Sequence, residues 1–191
     1  NHQHHSREWR GRARHFYAMP YGEHFIWGAT AGMIKNLQEK SILVSRVLNA
    51  PLENVWRAYT ESEFLDQWWG PAPWRAETKS LDFKPGGYWL YAMVGPEGER
   101  HWARMNYISI KAKDYFDIED AFCDEAGNMN TSLPVSRGRM SFNETSDGVL
   151  VEFTMSYATE EDVLKLIEMG FEQGITICLE QLQALLDQNK I

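Results

Sequence analysis

The stretch Thr159–Asp187, TEEDVLKLIEMGFEQGITICLEQLQALLD, decides how this chain is read. Thr159 is a good N-cap, and Glu160, Glu161 and Asp162 follow in the first turn, where the helix dipole favours acid. Val163, Leu164, Ile167, Phe171, Ile175, Cys178, Leu182, Leu185 and Leu186 then recur at helical spacing. The period predicts one helix over Glu160–Asp187 with a broad apolar face, long enough to lie across a whole sheet. Gly170 and Gly174 interrupt that face one turn apart, and each costs a helix roughly 1 kcal/mol against alanine. Either they let the helix backbone pack closely on its neighbour, or they leave room for a ligand. Glu168, Glu172, Gln173 and Glu180 exclude a membrane span here.

Upstream, the pattern changes to short strands separated by turn signals. Ser41–Asn49 reads as a β-branched strand, stopped by Ala50-Pro51. Two short helices follow, over 51–59 and about 61–68, the second ending at Gly70-Pro71. Strands are predicted over 74–82, 88–94, 100–111, 115–123, 135–144 and 149–157, most joined by Gly-containing turns. Strands in sequence with helices set apart from them define an α+β class. The expected architecture is a curved antiparallel sheet of about seven strands wrapped on the long C-terminal helix, with two short helices after the first strand.

Composition narrows the function. With 43% hydrophobic and 13% aromatic residues over 191 positions, the chain can fill one sizeable core. A net charge of −8 argues against nucleic acid as a partner. Cys123 and Cys178 are far apart and read as small buried hydrophobes, compatible with a cytoplasmic location. Residues 1–32 differ in character: they hold five of the six histidines and carry +2, whereas 33–191 carry −10. They read as a leader or tag-like extension dispensable for folding, ahead of a domain over 33–191. The apolar run Phe25-Ile26-Trp27 is too short for a signal peptide.

Several segments carry a family resemblance: Ala50-Pro51-Leu52-Glu53-Asn54-Val55-Trp56-Arg57-Ala58-Tyr59-Thr60, then Trp68-Trp69-Gly70-Pro71, then Glu168-Met169-Gly170-Phe171-Glu172-Gln173-Gly174, with Leu179, Leu182 and Leu185-Leu186. With these segments the chain resembles the activator of Hsp90 ATPase homologue 1-like C-terminal domain family, within the Bet v 1/START-like (helix-grip) superfamily. The resemblance covers about residues 40–187 and implies a helix-grip fold. Because that fold hosts binders, carriers, cyclases and regulators, function has to be argued from the site.

Residues 33–191 hold one histidine, His101, and no metal-ligand spacing, phosphate loop or nucleophile elbow, so neither a metal nor a cofactor is expected. His101 shares strand parity with Ala103 and Met105 and reads as a core histidine before it reads as a catalyst. Arg104, Asp117, Glu119 and Glu152 read as surface charges before cavity groups. In Trp68-Trp69-Gly70-Pro71 a tryptophan either wedges into the core or forms one wall of a cavity mouth. The expected site is an apolar pocket between the long helix and the sheet, contacted by Trp69, Tyr88, Tyr107, Phe116, Phe153, Met155, Gly170 and Gly174, with no catalytic residues. The function expected is non-enzymatic binding of a hydrophobic or aromatic small molecule. One alternative is regulation of an Hsp90-type chaperone ATPase, or a protein-interaction module, as monomer or homodimer. The other is a small-molecule cyclase or hydrolase using the same cavity.

Overall fold

The computed structural model describes residues 39–188 and Ile191 in full and, before them, the backbone of five strands. Of these, Gln3–Trp9 (β1) pairs with Arg12–Ala18 (β2), and Pro20–Tyr21 (β3) with His24–Phe25 (β4). The fifth, Gly32–Asn36 (β5), pairs antiparallel with Ser41–Leu48 (β6) and so becomes an edge of the main sheet.

After β6 come two helices, Leu52–Thr60 (α1) and Ser62–Trp68 (α2). The remaining strands are Arg75–Leu81 (β7), Tyr88–Val94 (β8), Arg100–Lys111 (β9), Tyr115–Phe122 (β10), Val135–Thr145 (β11) and Gly148–Ser156 (β12). The sheet runs β5-β6-β12-β11-β10-β9-β8-β7, antiparallel throughout. Seven of its strands are those expected from alternation and turn residues, and β5 adds an eighth. Glu160–Glu168 (α3) and Phe171–Asp187 (α4) close the chain.

The expectation of one helix over Glu160–Asp187 is corrected here. The start is as read: Thr159 Oγ1 accepts from Asp162 N–H, and Asp162 Oδ2 accepts from Thr159 N–H, a reciprocal capping box. The helix then stops at Met169, and Gly170, with φ +84°, starts the next one. That left-handed conformation costs an L-residue roughly 1–2 kcal/mol, and glycine adopts it freely. Gly170 is therefore explained by a backbone turn, not by close packing or by room alone.

Burial divides the two helices. Below the C-terminal half of α4, Cys178, Leu179, Leu182, Leu185 and Leu186 are buried among core residues. Toward the Gly170 turn, Leu166, Ile167, Phe171 and Ile175 are only half-buried, and Leu164 and Met169 are exposed. An aromatic cluster fills part of the interior. Trp56 meets Phe83, Phe116 and Phe142 edge-on at 5.1–6.0 Å, and Phe83 meets Tyr107 at 4.8 Å. Edge-to-face pairs at such distances add roughly 0.5–1.5 kcal/mol each beyond area burial.

The turn between α2 and β7 is held by α4. Gln181 Nε2 donates to the carbonyls of Trp68 and Gly70 at 3.0 and 2.7 Å, and Gln181 Oε1 accepts from Ala72 N–H at 2.8 Å. Cys178 Sγ–H donates to the Trp69 carbonyl at 2.9 Å. A Cβ at Gly70 would overlap the Arg75 backbone, so only glycine fits in this turn.

Two outcomes are expected. Gly170→Ala should lower Tm by about 2–8 °C, following from roughly 1–2 kcal/mol of backbone strain in a domain of this size. A truncated chain beginning at Met33 keeps nearly all of β5 and should melt within a few degrees of the full chain by calorimetry.

Candidate functional site

A cavity of about 300 Å³ lies between the sheet and the α3–α4 elbow, at the lower end of the usual range for small-molecule sites. Its ceiling is Leu166, Met169, Gly170, Phe171, Gly174, Ile175 and Cys178. Strand alternation builds the floor. On β8, Trp89, Tyr91 and Met93 point inward, and Tyr91 and Met93 reach the cavity; on β9, His101, Ala103 and Met105 do so. β12 and the residue after it supply Phe153, Met155 and Tyr157. His101 and Met169 are the exposed members of the lining and mark the mouth. Near it, Lys165 Nζ donates to the Ser132 carbonyl at 3.4 Å, tying α3 to the loop that ends at Pro134, itself part of the lining.

Trp69 forms the inner wall. Its indole N–H donates to Tyr91 Oη at 3.1 Å, and its ring meets Trp68, Trp89 and Tyr91 edge-on. Trp68 is buried and donates its indole N–H to the Ala58 carbonyl at 2.9 Å. The pair thus takes both roles open to it, one ring wedged in the core and the other walling the cavity.

Of the residues expected at the site, Trp69, Phe153, Met155, Gly170 and Gly174 line the cavity. Tyr88, Tyr107 and Phe116 do not, and their placement is corrected. Tyr88 has the opposite parity to Tyr91 and lies on the outer face, where the Arg104 guanidinium stacks on it at 4.2 Å. Tyr107 and Phe116 do point inward, but at the filled end, against Phe83. Gly174 has the open space that the ligand reading requires: a Cβ there would touch only Pro71 Cγ, at 3.7 Å.

The residue that sequence reading passed over is Asp120. It shares the inward face of β10 with Phe116, Ile118 and Phe122, and it sits opposite Met105 and Ser136 in the neighbouring strands. Its Oδ1 is sealed from solvent with no hydrogen-bond partner among the described residues, although the residue as a whole is half-buried. Burial pushes its carboxyl up to about 7. The signal was available, since Asp120 alternates with Phe116, Ile118 and Phe122. By contrast Asp117 and Glu119 face outward and pair with Arg139 and Arg137.

The other ionisable groups of the lining are held neutral or stand at the edge. Burial raises Tyr91 and Tyr157 well above the ordinary phenol range and pushes the Cys178 thiol up to about 12. The Ser136 hydroxyl lies beside the Tyr157 phenol. Among the described residues, no lysine or arginine lines the cavity. The nearest interior cation is Arg46, across the wall formed by Trp69, Phe153 and Ile175, beside a void of about 20 Å³. Its Nε and Nη1 have no hydrogen-bond partner among the described residues, and burial lowers its pKa against the pull of Glu180 and Tyr59. Among the described residues, no three His, Cys, Asp or Glu side chains come together as a metal site, and no helix is long and apolar enough to cross a membrane.

An antiparallel sheet gripping a C-terminal helical arm, with an apolar cavity between, defines a helix-grip protein of the Bet v 1/START-like fold. The chain belongs to the family described as activator of Hsp90 ATPase homolog 1-like proteins, which it matches over residues 49–187. It is similar to the crystal structure of protein Ms6760 from Mycobacterium smegmatis, at 29% identity and TM-score 0.75, over 81% of this chain and 95% of that one. A solution structure from Arthrobacter aurescens is 27% identical with TM-score 0.77, over 82% of this chain and 91% of that one. Another, from Staphylococcus epidermidis, is 28% identical with TM-score 0.72, over 83% and 95%. None of the curated proteins matches the chain.

Asp120 gives a pH signature. Its pKa is raised on folding, so the folded state holds a proton that the unfolded chain releases. Stability should therefore fall as pH rises from about 4 to about 7 and level off above that. Asp120→Asn should flatten this part of the profile and raise stability at about pH 8 by on the order of 2–4 kcal/mol, the upper figure being full burial. Denaturant unfolding of both proteins across that range measures it.

Proposed function

We propose that this protein is a non-enzymatic binder of a hydrophobic or aromatic small molecule, held in the cavity under the α3–α4 elbow. The observation that carries the reading is the cavity itself, about 300 Å³ and walled by Trp69, Tyr91, Phe153, Met155 and Phe171. Such walls suit a flat, weakly polar ligand, because aromatic rings offer large faces at little entropic cost. A chaperone-regulating role has the family description behind it, and the cavity is the more specific observation. The cavity contains one carboxyl and an edge histidine but no aligned nucleophile and base, which favours binding over catalysis.

Gly174→Leu tests this reading. The space at Gly174 opens on the cavity, so a leucine should occupy it without displacing backbone. Binding of the neutral probe N-phenyl-1-naphthylamine, followed by its fluorescence, should weaken at least about tenfold. Stability should hold or rise by up to about 1 kcal/mol, since leucine replaces glycine in a helix. Unchanged probe binding together with lost stability would overturn the proposal and indicate a filled interface at this position.

A further inference from the structure

The ligand's polar chemistry can be read from the one carboxyl among the described residues of the cavity. Resting on the proposed binding role, we infer that the cavity selects an aromatic or aliphatic molecule carrying one protonated amine, with the ammonium on Asp120 and the apolar body against the aromatic walls.

Three independent features support this. The first is orphaned geometry: Asp120 belongs to the cavity lining, and its Oδ1 is shut off from solvent with no hydrogen-bond partner among the described residues. An ionised carboxylate accepts hydrogen bonds only, so the side of the carboxyl that faces the cavity calls for a donor on the occupant. The second is the company it keeps. Trp69, Tyr91, Phe122, Phe153, Tyr157 and Phe171 line the same space, and ring faces attract a cation that has left water. Aromatic faces plus one acid give a cation two kinds of stabilisation, whereas an anionic ligand would meet repulsion and no countercharge. The third is the absence of an internal competitor. Asp120 acts on Tyr91 of β8, Tyr107 of β9, Tyr157 after β12 and Cys123 beyond its own strand, whose pKa values are all raised, and it shares the cavity with Cys178 and with the His101 imidazole at the mouth. Arg46, the interior cation, is screened behind Trp69 and Phe153.

The free protein already bears the cost of desolvating Asp120, so a ligand ammonium gains a charge-assisted hydrogen bond in a medium where it is strong. The net charge of −8 adds a long-range attraction for cations. A metal ion fits less well, because Asp120 is the only carboxylate among the described residues of the lining.

The test compares three probes by calorimetry: 2-naphthylmethylamine, the isosteric 2-naphthylmethanol, and neutral N-phenyl-1-naphthylamine. The amine should bind wild-type protein at least about tenfold tighter than the alcohol at about pH 8, the order expected of a hydrogen bond to a charged group. That advantage should shrink at about pH 5.5, as Asp120 takes up its proton. Asp120→Asn should remove the amine's advantage, bringing its affinity down to about that of the alcohol. If pH dependence of the amine persists in Asp120→Asn, its source is another group and the inference fails. If the alcohol binds wild-type as well as the amine does, the inference fails while the cavity reading stands. If none of the three probes binds, both fall. The wild-type comparison needs no variant, so the result does not hinge on the folding of Asp120→Asn.

Discussion

Gln181 holds this fold in its working shape. One side-chain amide donates twice and accepts once across the Trp68–Ala72 turn, so it fixes α4 to the segment that leaves α2. Cys178, less than one turn earlier, adds its thiol to the Trp69 carbonyl, and burial keeps that thiol protonated and able to donate. These contacts pin the backbone on either side of Trp69 and stand its ring against Tyr91. The other end of the turn is bound to the sheet: Asp66 on α2 accepts from Thr78 on β7, and Thr78 Oγ1 accepts from Trp89 on β8. Helix, turn and sheet are thus tied by directional bonds, not by packing alone.

With α4 fixed there, the rest follows from where its apolar side chains reach. From Cys178 to Leu186 they meet the sheet and the core is filled. Towards Gly170 the helical arm bends, and its side chains only partly reach the floor. The aromatic cluster around Trp56, Phe83 and Phe116 does for the far end what no side chain does for the near end. The hollow is therefore a consequence of an elbow in the arm, and the elbow is a consequence of one glycine at positive φ.

Much of this was legible. Alternation and turn residues located the strands of the main sheet from β6 onward, and Thr159 located the start of α3. The helix break was not legible, because Val163, Ile167, Phe171, Ile175 and Cys178 keep a continuous period across Gly170. A left-handed turn that preserves the phase of the apolar face leaves no mark in the pattern. Strand parity found Phe153 and Met155 but could not give depth along a strand, so Tyr107 and Phe116 were placed in the hollow although they fill the opposite end. Tyr88 and Asp120 are different cases. Parity within β8 puts Tyr88 outside, and parity within β10 puts Asp120 inside, so both could have been read. Residue type points the other way at both positions, since an aromatic favours the interior and an acid the surface.

Arg46 and Asp120, whose side chains keep buried atoms without a partner among the described residues, show how a filled core and a hollow treat the same problem. Arg46 lies on the inward face of β6 in line with Ile42, Val44 and Leu48, almost wholly buried. Enclosed by Tyr59, Trp68 and Leu179, it is stabilised by what the chain places nearby, the phenol of Tyr59 and the charge of Glu180. Asp120 is set on an inward face in the same way but opens on space. A charge in a nearly filled core depends on its immediate neighbours, and the void of about 20 Å³ beside Arg46 has room for little more than a water. A charge at the edge of a cavity with a mouth is a loss only until something enters. Retaining an acid at a position where Phe116, Ile118 and Phe122 show that apolar side chains fit thus has a physical rationale in an occupant from outside. The same carboxyl within a filled core would have none.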